Sequence, residues 1–318
     1  MDVDEAASSC KSVLDEVSQA VITDEYLLET VMTAIIGDGH VLLEDVPGTG
    51  KTLTARSLAT ALDLEFNRIQ FTPDLLPADI TGSHIYNESA GDFEFNKGPI
   101  FANVVLADEI NRAPPKTQAA LLEAMGEGQV SVDGDTMELP EPFFVLATQN
   151  PVEQEGTFEL PEAQRDRFMI KTSMGYPDRD GELLLLERRS GRTSSIPETG
   201  VVVNQTTVLE MQGVPETVDV DPSVCEYIVD ICRATRTDDR VKVGVSPRGI
   251  QRLFEASRAR ATIEGRPYVA PEDVKAVVHP TLEHRIVLTT EATVRNADKG
   301  DVVDSAVDSV AVPSMDEF

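Results

Sequence analysis

Residues 44–52 read EDVPGTGKT, the residue types and spacing of a loop built to hold a polyphosphate. They follow the apolar run Val41-Leu42-Leu43 and precede Leu53, Leu58 and Leu62 at helical spacing. A strand, a glycine-rich turn and then Gly50-Lys51-Thr52 opening a helix is the Walker A arrangement. Backbone N–H groups of the turn and the helix N-terminus surround the phosphates, the Lys51 ammonium reaches the terminal phosphates, and the Thr52 hydroxyl holds Mg²⁺. The cradle is expected to run through Asp45, Val46, Pro47, Gly48, Thr49, Gly50, Lys51, Thr52 and Leu53. Position 45 is usually glycine; here it is Asp, one of the few other residues that tolerate unusual turn geometry.

Residues 104–109 read VVLADE, an apolar run ending in two adjacent carboxylates. A buried parallel strand reads as such a run. At its C-terminal end Asp108 can bind the Mg²⁺ shell and Glu109 can polarise an attacking water, so the pair implies a nucleotide hydrolase rather than a binder. The expected cofactors are ATP and Mg²⁺, the metal held largely through water by Thr52 and Asp108. Asn150 lies in TQNP at the end of the run 143–148, where its amide can hydrogen-bond a water or the γ-phosphate. Arg167 lies in PEAQRDRF, and Arg248 in SPRG at the start of a helix that would cover the nucleotide. Taken alone, an Asn-Pro is an ordinary turn and an arginine is ordinarily solvated.

The elements that position these residues follow from hydrophobic period. Leu27, Leu28, Val31, Ala34 and Ile35 make a helical stripe over 24–36. Strands are expected at 41–44, 66–71, 103–107, 143–148 and 169–174, with helices between them. That alternation predicts an α/β fold, a doubly wound parallel sheet that binds ligands at its C-terminal edge. Residues 72–100 form a long connection, and 129–139 alternate around Asp133-Gly134 as a hairpin. After about residue 190 the pattern changes. Residues 191–215 read as a polar connection with some strand-like content, and 221–290 as helices, with Pro222, Pro247 and Pro271 at helix starts. The expected division is a nucleotide-binding αβα domain over 1–190, a helical lid over 191–290 and a mobile acidic tail over 291–318.

The 318 residues carry a formal net charge of −29 and a pI near 4.4, with 8 Lys against 19 Arg. An acidic excess spread along the whole chain reads as adaptation to a salt-rich cytoplasm, where the Debye length shrinks to about 3 Å and self-repulsion is screened. A melting temperature that climbs steeply with KCl is the expected outcome. A flat profile from about 0.1 M upward would point instead to a dedicated acidic partner surface. The charge argues against nucleic acid as a partner. Cys10, Cys225 and Cys232 have no metal-ligand spacing and read as buried thiols. No stretch approaches 18 apolar residues and the N-terminus lacks a secretory core, so a cytoplasmic protein without a membrane span is expected.

The segments LLEDVPGTGKT, QFTPDLLPADITG, KGPIFANVVLADEINRAPPKTQAALLEAM, LATQNPVEQEGTFELPEAQRDRF and VSPRGIQRL together resemble a MoxR-type AAA+ ATPase, in order over residues 10–290. The resemblance implies that Asn150 is sensor 1, Arg167 the arginine finger that reaches a neighbouring subunit's ATP, and Arg248 sensor 2. Arg112 in INRAPP and Arg165, where an apolar residue is usual, are alternative fingers. It further implies a homo-oligomeric ring, commonly a hexamer, and a chaperone-like role on partners that often carry a von Willebrand factor A domain, sometimes aiding metal insertion. A magnesium-chelatase-like motor subunit shares these motifs, although the ADEINRAPPKTQ wording favours MoxR. A nucleic-acid motor wants basic residues on the 129–139 hairpin, which instead carries Asp133, Asp135 and Glu138 and no Lys or Arg.

Overall fold

The computed structural model describes residues 1–46, 48–89, 91–150, 157–194 and 196–313; Pro47 lies outside the described residues. The chain opens with α1 (Val3–Ala20) and α2 (Glu25–Ile36), then runs through β1 (Val41–Glu44), α3 (Lys51–Ala61) and β2 (Phe66–Gln70). A short helix α4 (Pro77–Thr81) and a hairpin of β3 (Gly82–Asn87) and β4 (Asp92–Lys97) occupy the long connection to β5 (Val104–Asp108). Next come α5 (Pro115–Glu127) and the expected second hairpin, β6 (Gln129–Val132) with β7 (Asp135–Glu138). After these follow β8 (Phe144–Gln149), α6 (Glu162–Arg165) and β9 (Ile170–Thr172).

Five of these strands form one parallel sheet in the order β2-β5-β8-β1-β9. Successive side chains of a strand point to opposite faces, and here both faces are covered. Val104 and Leu106 of β5, Phe144 and Leu146 of β8, and Val41 and Leu43 of β1 enter one core. Their alternates Val105, Ala107, Val145, Ala147 and Leu42 enter the other, against Leu121, Leu122 and Met125 of α5. The glycine-rich turn after β1, the Asp108-Glu109 pair at the end of β5 and Asn150 after β8 leave the same sheet edge, because these strands are parallel.

The remaining elements are α7 (Arg179–Ser190), α8 (Gln205–Gly213), α9 (Pro222–Thr237), β10 (Val241–Val243) and α10 (Pro247–Ile263), followed by α11 (Pro271–Leu282), β11 (Val287–Leu288), α12 (Thr290–Val294) and α13 (Lys299–Ser309). Helices α9, α10 and α11 begin at Pro222, Pro247 and Pro271, where a missing N–H is no loss. The strand-like reading of 191–215 gives way to a helix, α8, capped by the Asn204 side chain and held by buried Val208 and Met211. The first core is continuous with this helical lid. Helix α1 buries Ala6, Cys10, Val13, Val17 and Ala20 along one stripe and packs on both α3 and α10.

The expected mobile tail is corrected over most of its length. Residues 299–309 form α13, whose N-terminus is capped by Asp298 through Gly300 N at 2.8 Å. Val302 and Val303, with Ala306 one turn on, are buried where α13 packs on α9 and α11. The Asp and Ser residues that suggested disorder are the solvated face of an amphipathic helix, and three small apolar positions suffice to dock it.

Candidate functional site

A cleft of about 690 Å³ opens at the C-terminal sheet edge between the turn after β1 and the ends of β5 and β8. Gly48, Gly50, Lys51, Thr52, Leu53, Asp108, Glu109 and Asn150 all line it, so residues from three separated motifs converge as expected. Gly48 and Gly50 adopt φ of +91° and +96°, a region closed to most side chains, which turns the backbone around the cleft mouth. Lys51 lies at the first position of α3 and its Nζ donates to the carbonyls of Asp45 and Val46, each at 3.1 Å. The ammonium is thus folded back over the loop in which an anion would sit.

Asp45 does something the sequence reading did not foresee. Its N–H donates to Gln149 O at 3.1 Å in the sheet, and its carboxylate is buried. That carboxylate accepts from Ser173 Oγ at 3.0 Å, from Gly175 N at 3.2 Å and from Met174 N. Asp45 therefore ties the phosphate loop to the segment leaving β9, and φ at position 45 is not positive. Asp45 also lines the cleft, so its carboxylate anchors the start of the loop that would surround the phosphates. Val46 accepts from Thr49 Oγ1 at 3.5 Å within the same turn.

The acidic pair is held by a network. Asp108 Oδ1 accepts from Thr148 Oγ1 at 2.6 Å, and Asp108 Oδ2 accepts from Arg68 Nε at 3.1 Å and from Arg68 Nη2 at 2.5 Å. Glu109 has a left-handed backbone, φ 57° and ψ 48°, unusual for a non-glycine residue. Its N–H donates to Thr148 Oγ1 at 2.9 Å, so the peptide turns the side chain into the cleft. Glu109 Oε2 accepts from Gln70 Nε2 at 2.8 Å and from Arg112 Nη1 at 3.1 Å. Asn150 is nearly buried, and its carbonyl accepts from Asn111 Nδ2 at 3.5 Å.

Arg68, Gln70 and Thr148 escaped the sequence reading. Thr148 sits inside the TQNP segment already singled out. Arg68 and Gln70 alternate with Ile69 at the end of β2, beside β5. Two polar residues on one face at a C-terminal strand end are the available signal.

The arginines separate into two groups. Arg112 lines the chain's own cleft and pairs with Glu109. Arg167 and Arg248 do not line the cleft. Arg167 Nη1 donates to Leu122 O at 2.6 Å, near the end of α5. Arg248, in the first turn of α10 and 46% exposed, pairs with Asp166 at 3.6 Å. Arg248 thus meets the core domain at the residue that precedes Arg167. Arg165 is half-buried on α6.

Beyond the phosphate loop lies a second recess of about 450 Å³, lined by Ile22, Thr23, Thr49, Met174, Tyr176 and Pro177 among others. Thr49 borders it while Gly48 and Gly50 border the first cleft, so the two recesses flank one turn.

Comparison with known proteins bears on this architecture. Residues 40–170 match the family of ATPases associated with various cellular activities (AAA), and residues 233–306 match the AAA lid domain. The latter match runs into α13 as far as residue 306, although the tail was expected to lie outside the lid. YeaC of Bacillus subtilis is 49% identical over 282 residues, 89% of this chain and 88% of that protein. The chaperone MoxR1 of Mycobacterium tuberculosis is 40% identical over 309 residues, 94% of this chain and 81% of that protein. The chain belongs to the MoxR family of AAA+ ATPases. A crystal structure from Cytophaga hutchinsonii superposes on this MoxR-family chain with a TM-score of 0.90 at 40% identity, over 98% of this chain and 96% of that one. Among the described residues no helix is long and apolar enough to cross a membrane.

Proposed function

We propose that this chain hydrolyses ATP in the cleft around Lys51 and Glu109, as a subunit of a homo-oligomeric ring, and uses the cycle to remodel or activate partner proteins. The observation that carries the reading is the convergence of Lys51, Thr52, Asp108, Glu109 and Asn150 on one cleft. Lys51 turns from the loop carbonyls to the terminal phosphates when these enter. The Thr52 hydroxyl and the Asp108 carboxylate form an all-oxygen donor set with room for water, the kind of set Mg²⁺ takes. Asp108 already accepts a cationic partner, Arg68, so the carboxylate is poised for positive charge. Mg²⁺ held there by Thr52 and Asp108 would supply positive charge against the charge developing in transfer. Glu109 takes the proton of the attacking water, and Asn150 orients that water or the γ-phosphate. The second recess, half apolar and on the other side of the loop, suits a nucleoside held by Ile22, Met174 and Tyr176.

Arg167 and Arg248 are proposed to serve the nucleotide of a neighbouring copy, Arg167 as the finger. Their placement outside the chain's own cleft, with Arg248 paired to the residue before Arg167, supports this reading. The acidic surface is proposed as an adaptation to high salt, and the protein as cytoplasmic. Partners with a von Willebrand factor A domain are the proposed clients; capture on Glu109→Gln with ATP, followed by mass spectrometry, identifies them.

The test of the ATP site is Lys51→Ala. Loss of a charge-assisted hydrogen bond costs about 1.5–3 kcal/mol, so affinity for a fluorescent ATP analogue is expected to fall on the order of 10- to 100-fold. Unchanged binding would mean that nucleotide goes elsewhere.

A further inference from the structure

The lid buries one arginine whose Nε, Nη1 and Nη2 all donate to the segment that carries Arg167. Arg285 lies in the short 3₁₀ turn Glu283–Arg285 after α11, and its side chain is 2% exposed. Its Nε donates to Asp166 Oδ1 at 2.8 Å. Its Nη2 donates to Phe168 O at 2.7 Å, and its Nη1 to Met169 O at 3.2 Å. Nη1 also donates to Thr281 O, which fixes the guanidinium to its own helix. The fork therefore grips the residues on both sides of Arg167, from a different domain of the fold.

We propose that Arg285 is a positioning residue for Arg167, coupling the orientation of the lid to the arginine that one subunit offers its neighbour. The inference rests on the reading of Arg167 as a finger acting in trans. A buried guanidinium is costly to desolvate, and an apolar residue of similar volume would serve packing alone at least as well. What Arg adds is a planar fork that can hold a carboxylate and two carbonyls at once in fixed geometry. Burial pushes the pKa of Arg285 down to about 10, with Asp166 opposing the shift, so it remains charged at neutral pH. His284 beside it is held well below its usual range by burial and by that charge, and is neutral.

The same carboxylate extends the coupling. Asp166 presents Oδ1 to Arg285 and Oδ2 to Arg248 of α10. Two lid arginines thus bracket one core residue immediately before Arg167. The Arg167 side chain runs the other way, along α5, and a Cβ built on Gly126 would lie 2.1 Å from its Nη1. The lid holds the backbone of the segment and α5 holds its side chain. A rotation of the lid, as its own nucleotide changes, must move Asp166 and Phe168 and so shift Arg167 at the boundary with the next copy.

The experiment uses the full chain with Arg285→Met and Arg285→Lys. A misplacement of about 1 Å can cost on the order of 100-fold in rate, and turnover by Arg285→Met is expected to fall by about that factor while ATP affinity stays within about twofold. Arg285→Lys reaches Asp166 but cannot also span the Phe168 and Met169 carbonyls, so an intermediate loss is expected. The deciding readout is mixing. Either Arg285 variant should regain turnover with Lys51→Ala, which supplies a well-held Arg167 to an intact cleft, and should regain none with Arg167→Ala. If Arg285→Met does not fold, Arg285→Lys gives the same reading. Full turnover by the folded variants, or parallel loss of ATP binding and hydrolysis without rescue, overturns the proposal. If Arg167→Ala is rescued by Lys51→Ala and the Arg285 variants are not, the coupling alone fails. If Arg167→Ala is not rescued either, the finger reading and the coupling fall together.

Discussion

Glu109→Gln is expected to keep ATP affinity and to lose turnover by about 10²–10⁴-fold, the range that a positioned general base contributes. Gln has the same shape and can still accept from Gln70 and Arg112, which lie 2.8 Å and 3.1 Å from Glu109 Oε2. It cannot take a proton. The left-handed backbone at 109 and the 2.9 Å bond from its N–H to Thr148 are set by main-chain geometry and survive the change. Removing a negative charge beside the phosphates can only favour ATP, so weaker binding is not an available explanation for the loss. Phosphate release and fluorescent-nucleotide binding, measured on one preparation, check both halves. Near-normal hydrolysis would remove Glu109 from the chemistry.

Arg167→Ala is expected to bind ATP normally and hydrolyse it about 10³-fold more slowly, the lower end of what an arginine finger contributes to phosphoryl transfer. Nothing in the chain's own cleft changes, because Arg167 donates to Leu122 O and does not line that cleft. Activity per subunit of the intact chain should rise with protein concentration as copies meet. Mixing Arg167→Ala with Lys51→Ala should restore turnover, since an intact phosphate loop then faces an intact finger. A mixture as inactive as its components, at concentrations where subunits assemble and exchange, would exclude Arg167 as an arginine acting in trans. Arg165 is tested next, and then Arg112, which already pairs with Glu109 in its own chain.

The parts of this site that were legible in the sequence are those built from local order. Val41-Leu42-Leu43 and Val104 to Ala107 read as buried strands because both sheet faces are covered, so every position is apolar. Gly48, Gly50, Lys51 and Thr52 are consecutive or nearly so, and their chemistry follows from one turn and one helix end. The anchoring role of Asp45 was not legible because its partners, Ser173 to Gly175, lie far along the chain and are reached only through the β1–β9 pairing. Gln70 and Arg68 meet the acidic pair only through the β2–β5 register, in which Gln70 stands opposite Asp108. The contact of Arg248 with Asp166 was not legible from its place on a lid helix, because it depends on how that helix docks. The tail was misjudged because half of 298–309 is Asp or Ser, while the positions that reach the core are Val302, Val303, Ala306 and Val307.

The most direct measurement is steady-state phosphate release from Mg²⁺ and ATP by the intact chain across a range of protein concentrations, beside Glu109→Gln under the same conditions. The account predicts turnover per subunit that rises with concentration to a plateau, and a Glu109→Gln trace close to background throughout. No release by the intact chain at any concentration, or equal release by both proteins, would contradict it.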